Sequence, residues 1–261
     1  MKRYIMRKKV ENAGRVLTEK LSSWTAVNAI TLAEWANEEL LSPYFFMSID
    51  VFYRGAVPSL EKRMSTFGNP STFESTNSGF KDRFLYEDLP VRIEYKSMDR
   101  IESLLENQTD PGYALRETGT YLFYRIQNNK VLFQKSPWLR DIQTRIGNLP
   151  DSYWHPLVLS CRAIMEHLMS DLAAAVYAED DFFYLRSQAG LVNTICSLMF
   201  LLNKQFEPSG RRMLKQLFAL PDLPENFRGR FECLIREDSD FDHERKKEIA
   251  LLLCQTISSM I

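Results

Sequence analysis

Apolar residues recur at Met6, Val10, Ala13, Leu17 and Leu21. Steps of three and four place them on one helix face, so the pattern predicts an amphipathic helix ending near Ser22. Trp24 to Leu32 is rich in β-formers (Thr25, Val27, Ile30, Thr31) and predicts a strand. Ala33 to Leu41 reads as helix, stopped by Ser42-Pro43. Tyr44 to Tyr53 then alternates, with Phe46, Ser48, Asp50 and Phe52 on one side and Met47, Ile49, Val51 and Tyr53 on the other. That is a strand with a carboxylate on one face.

Arg54-Gly55 ends the strand, and Pro58 opens a short helix through Met64. Thr66 to Gly79 is dense in Gly, Asn, Pro, Ser and Thr and reads as a surface loop. Phe80 to Tyr86 and Leu89 to Lys96 form a predicted hairpin around Glu87-Asp88. In its second arm Val91, Ile93 and Tyr95 share one face, and Arg92, Glu94 and Lys96 the other. From Asp99 the period is helical, apart from an extended piece at Val131 to Gln134 after Asn128-Asn129. Helices are expected at Tyr113 to Ile126, Pro137 to Ile146, Ser152 to Ala178, Asp181 to Lys204, Pro208 to Leu220, Glu225 to Arg236 and Phe241 to Met260. Ser136-Pro137 supplies a cap and first-turn pair. A linker-like run from Asn107 to Gly112 puts the boundary there. The expected class is α+β, with a mixed α+β domain over residues 1–108 and an all-α helical bundle over residues 109–261.

Composition changes this picture only by exclusion. At 261 residues, 45% hydrophobic and 26% charged, with 10 Gly and 11 Pro, the chain is neither collagen-like nor disordered. Thirty-three basic against 34 acidic side chains leave a net charge of −1, which argues against nucleic acid as a partner. Cys161, Cys196, Cys233 and Cys254 have no metal-ligand spacing with His155, His167 and His243, and all four sit in apolar helical segments. A cytoplasmic location is the expectation. The basic start, Lys2, Arg3, Arg7, Lys8 and Lys9, lacks the apolar stretch of an export signal. Ala189 to Leu202 falls short of the roughly 20 residues a spanning helix needs, so it reads as a core helix and no membrane is expected.

No phosphate-binding glycine loop, Cys-x-x-Cys, His-Glu-x-x-His or nucleophile elbow is present. What remains is two strands presenting acids. Asp50 and Glu94 lie mid-strand, where a carboxylate must be exposed, paired or bound to a cation. If their strands are neighbours, the two acids can face one site and hold Mg²⁺, a hard cation that prefers oxygen ligands. Alternatively each is held by a nearby base, Glu94 by the flanking Arg92 and Lys96. In the helical half, Arg186, Asn203, Lys204, Arg211, Arg212 and Lys215 gather in two helices and their connection, as a cationic wall or as an ordinary exposed helix face.

The order strand, helix, strand with an internal Asp, hairpin strand with a Glu, then a helical domain resembles the nucleotidyltransferase superfamily of the DNA polymerase β type. Its small bacterial members carry a Leu-Asn-x-x-Tyr-x-Pro-x-x-Lys-like segment, here Leu202-Asn203-Lys204-Gln205-Phe206-Glu207-Pro208-Ser209-Gly210-Arg211. The resemblance implies a nucleotidyltransferase-like mixed sheet with Asp50 and Glu94 as metal-binding and catalytic carboxylates. It further implies Ser48, Arg92, Lys96, Asn203, Arg211 and Arg212 around the nucleotide. Mg²⁺ and a nucleoside triphosphate are the implied cofactor and substrate, with a small molecule or a protein as acceptor. Two departures stand out. Ser48 occupies the place of the first acid of an Asp-x-Asp pair, and the family's Gly-Ser turn falls near Ala33-Glu34, where neither residue matches. Glu34, Glu38 or Glu39 is a substitute carboxylate or an exposed helix turn. One reading is therefore a metal-dependent nucleotidyltransferase with a degenerate site. Its rival is an inactive relative that binds a nucleotide or another protein.

Overall fold

The computed structural model describes residues 2–33, 40–106, 120–237 and 241–261. The chain forms two compact units: Met1–Asn107 with Arg125–Asn148, and Gln108–Tyr124 with Leu149–Ile261. The sequence-drawn α+β half stops at residue 108, whereas the first unit takes back the segment 125–148, which supplies a strand, one whole helix and the second half of another.

In the first unit, α1 (Lys2–Ser22) leads to β1 (Val27–Leu32), β2 (Met47–Tyr53), α2 (Leu60–Thr66), β3 (Glu74–Ser75), β4 (Lys81–Tyr86), β5 (Leu89–Ser97) and α3 (Met98–Glu106). The end of α4 (Tyr121–Asn128), β6 (Lys130–Gln134) and α5 (Trp138–Gly147) complete it. The six strands make one mixed sheet in the order β3-β4-β5-β2-β1-β6. Neighbours run antiparallel except β2 and β5, which are parallel.

Alternation decides which face is core. Met47, Ile49 and Val51 of β2 and Val91, Ile93 and Tyr95 of β5 are buried with Val10, Ala13, Leu17 and Leu21 of α1, the stripe the periodicity predicts. Gly14 allows the close approach, because a Cβ there would meet the Met47 methyl at 3.3 Å. The hairpin closes through Glu87 and Asp88, both left-handed at φ 45° and 65°, as a two-residue turn requires. The predicted loop 66–79 is anchored on this core: Phe67 and Phe73 stack on Phe84, and Glu74–Ser75 pairs with β4.

One acid lies on the core side. Asp82 of β4 is fully buried and takes the Arg63 Nε at 3.0 Å and the Tyr95 hydroxyl at 2.7 Å. Arg63 also donates to the Pro58 carbonyl and to Ser75 Oγ, tying α2, β3 and β4 together. Burial, with the Asp82 carboxylate, holds the Tyr95 hydroxyl well above its usual pKa, so it stays a donor.

The second unit is helical: α6 (Asp151–Tyr177), α7 (Asp181–Leu202), α8 (Met213–Leu217), α9 (Phe227–Ile235) and α10 (His243–Ser258). α6 and α7 form an antiparallel hairpin whose turn is capped by Asp180, accepting from the Phe183 N–H at 2.9 Å. Although α7 is long and apolar enough to cross a membrane, its Leu191, Ile195, Leu198 and Met199 are buried in this unit's core. The four cysteines are free, and burial pushes the thiols of Cys161, Cys196 and Cys254 up to about 12.

Arg63→Ala strands a buried carboxylate, and urea denaturation is expected to show a loss of about 3–5 kcal/mol. The double variant Arg63→Ala/Asp82→Ala should lose less than the two single variants summed, because removing both charges leaves none uncompensated.

Candidate functional site on the polar sheet face

Parallel pairing of β2 with β5 sets Ser48 beside Arg92, Asp50 beside Glu94 and Phe52 beside Lys96. Facing positions in a sheet point the same way, so the two acids singled out in the sequence share one face. On one flank β1 adds Thr31 opposite Asp50. On the other, β4 adds Lys81 opposite Glu94 and Arg83 opposite Arg92, and β3 adds Glu74 opposite Arg83.

Over this face lies Arg125, near the end of α4. Its Nη2 is 2.6 Å from Asp50 Oδ1 and donates to Ser48 Oγ at 2.9 Å, while Nη1 is 3.3 Å from Glu94 Oε2. Lys96 Nζ stands 3.5 Å from an oxygen of each acid, and Lys81 Nζ 3.5 Å from Glu94 Oε1. Asn129, just after α4, donates from Nδ2 to Asp50 Oδ2 at 3.1 Å and to Thr31 Oγ1 at 3.3 Å. Asp50 has no exposed surface, and the Arg125 side chain is 5% exposed.

Burial alone would raise the pKa of Glu94, but Arg125, Lys96, Lys81 and Arg92 outweigh it and bring the group down to about 2. A carboxylate that reluctant to take a proton is a poor general base near neutral pH. Arg92 contributes by position as well as charge, its guanidinium lying 4.0 Å from the centre of the Phe46 ring.

The donor set does not fit a pair of divalent cations. Such a centre needs several anionic oxygens to offset two dications a few ångströms apart. Among the described residues no three acidic, His or Cys side chains gather to hold a metal. The two acids that do adjoin already hold a guanidinium and an ammonium. Glu34, Glu38 and Glu39 lie outside the described residues, as does the linker from Asn107 to Gly112.

Of the residues predicted from sequence, Ser48, Asp50, Arg92, Glu94 and Lys96 come together on this face. Asn203, Arg211 and Arg212 belong to the second unit. There Asn203 closes α7: its Nδ2 donates to the Met199 and Asp222 carbonyls, and its Oδ1 accepts from the Asp222 N–H. The helix expected from Pro208 is short, Met213–Leu217, so Arg211 and Arg212 precede it. Arg125 and Asn129 were missed. Their signal was a single cation amid Tyr121, Leu122, Phe123, Tyr124 and Ile126, followed by a polar pair at the next turn.

Ionised Glu94 adds stability that is complete above its ordinary pKa of 4.5 and disappears as pH falls toward about 2. Glu94→Gln lacks that component. The stability difference between wild type and Glu94→Gln, measured by urea denaturation, should therefore shrink from neutral pH to about pH 3.

No family model matches the sequence, and no curated protein matches it. Among solved structures, the chain is similar to a nucleotidyltransferase-like protein from Exiguobacterium sibiricum 255-15, with a TM-score of 0.53 at 12% identity over 95% of this chain and 74% of that one. At that identity the likeness is one of fold: the chain has a nucleotidyltransferase-like α+β fold with a helical C-terminal region.

Proposed function

We propose that this chain is a non-catalytic nucleotidyltransferase-like protein that binds the phosphates of a nucleotide on the polar face of its sheet. The observation that carries the reading is charge. Lys81, Arg83, Arg92, Lys96 and Arg125 stand on or over that face against Asp50, Glu94 and Glu74. Arg83 and Arg92 are direct cross-strand partners, which sets two guanidinium groups side by side on this face. Guanidinium groups suit phosphate oxygens because their N–H donors are planar and permanently charged. Ser48 in place of an acid and the low pKa of Glu94 further favour binding over chemistry.

The competing reading is Mg²⁺-dependent transfer of a nucleotidyl group to a small molecule or protein, with Asp50 and Glu94 as metal ligands. It requires the Arg125 guanidinium to withdraw from both acids before a cation enters. The free thiols support a cytoplasmic setting.

Titration with ATP, GTP, CTP, UTP and tripolyphosphate, each with and without Mg²⁺, separates the two. Binding is expected to raise the melting temperature. It should weaken with salt and fall at least ~10-fold in Arg83→Ala/Arg92→Ala. No labelled nucleotide should be transferred. If no triphosphate binds, the phosphate reading fails. Mg²⁺-dependent labelling that is lost in both Asp50→Ala and Glu94→Ala establishes the transferase instead.

A further inference from the structure

We infer that Arg125 is a built-in cation, standing between Asp50 and Glu94 where a divalent ion would otherwise be needed, so that this face works without metal. The argument is one of register and ligand type. Parallel pairing forces two carboxylates side by side, Asp50 fully buried and the Glu94 side chain only 18% exposed. Two adjacent buried anions repel strongly unless a cation lies between them. The Arg125 guanidinium fills that position, with Ser48 Oγ, Asp50 Oδ1 and Glu94 Oε2 all within 3.3 Å. A hydroxyl and two carboxylates from neighbouring strands are the oxygen donors that a hard cation would take. Here they hold a side chain, and Asn129 fixes the remaining Asp50 oxygen so that the carboxylate cannot turn away.

A face neutralised from within has no need of Mg²⁺ to receive a polyanion, so its ligand is the uncomplexed phosphate chain rather than the magnesium complex. This last step rests on the proposed phosphate binding. The resident-cation assignment does not.

The test uses the full chain and divalent ions alone. Wild type should melt at the same temperature in EDTA, Mg²⁺ and Mn²⁺ at matched ionic strength. Arg125→Ala, which uncovers the acids, should melt roughly 5–15 °C lower. It should recover part of the loss with Mn²⁺ and none with Na⁺ of equal ionic strength. Arg125→Lys, which retains the charge, should stay insensitive to Mn²⁺. Arg125→Gln replaces Arg125→Ala if the alanine variant does not fold, and is expected to show the same Mn²⁺ response. Saturable Mn²⁺ binding by wild type that is abolished in Asp50→Asn would overturn the assignment, as would neutral Arg125 variants that gain nothing from Mn²⁺. Nucleotide takes no part in these measurements, so failure here leaves phosphate binding standing, and failure of phosphate binding leaves the Arg125 assignment standing.

Discussion

The parallel pairing of β2 with β5 is the constraint on which the polar face depends. An antiparallel or shifted register would set Asp50 beside some other residue, and a slip of one would turn Glu94 into the core. In the observed register the two acids adjoin, and the cost of that adjacency falls on whatever covers them. Arg125 meets it with a guanidinium wide enough to reach both strands, Lys96 adds a second cation from within the sheet, and Asn129 pins the far oxygen of Asp50. Ser48, Asp50, Glu94, Lys96, Arg125, Asn129 and Thr31 behave as one network, whose members have meaning only together.

The two faces of the sheet solve the same problem at different depths. On the α1 side, Asp82 is held by a single guanidinium and a phenol inside an apolar core, and everything around it is packing. On the other side, two acids share several cations, and the outermost of these reach solvent. The first arrangement locks a loop and a helix to the hairpin. The second leaves Lys81 and Lys96 partly exposed at the edge of the network.

Much of this was legible in the sequence because alternation is a local signal. Ser48, Asp50 and Phe52 on one side, and Arg92, Glu94 and Lys96 on one side, follow from period two alone, and the α1 stripe follows from period 3.6. Pairing was not legible. Nothing near Asp50 specifies β5 as its neighbour, since the crossover between them spans a helix and a hairpin. Arg125 stood out only as a lone cation in an apolar helical run, and its role appears only when that distant helix is laid over the sheet. The linker-like run at Asn107 to Gly112 suggested that the first half ends there, yet β6 returns from beyond it to pair with β1. The strand itself was legible as the extended piece at Val131 to Gln134, but its partner was not.

The discontinuity of the first unit has a consequence for how the chain is made. A ribosome releases β2 and β5 well before it releases α4, so Asp50 and Glu94 emerge while Arg125 and Asn129 are still unsynthesised. During that interval the parallel pair brings together two acids with Lys96, Lys81 and Arg92, but not Arg125, to offset them. The polar face is therefore complete only when the segment 125–148 is available, because that segment carries the guanidinium and the amide that hold Asp50.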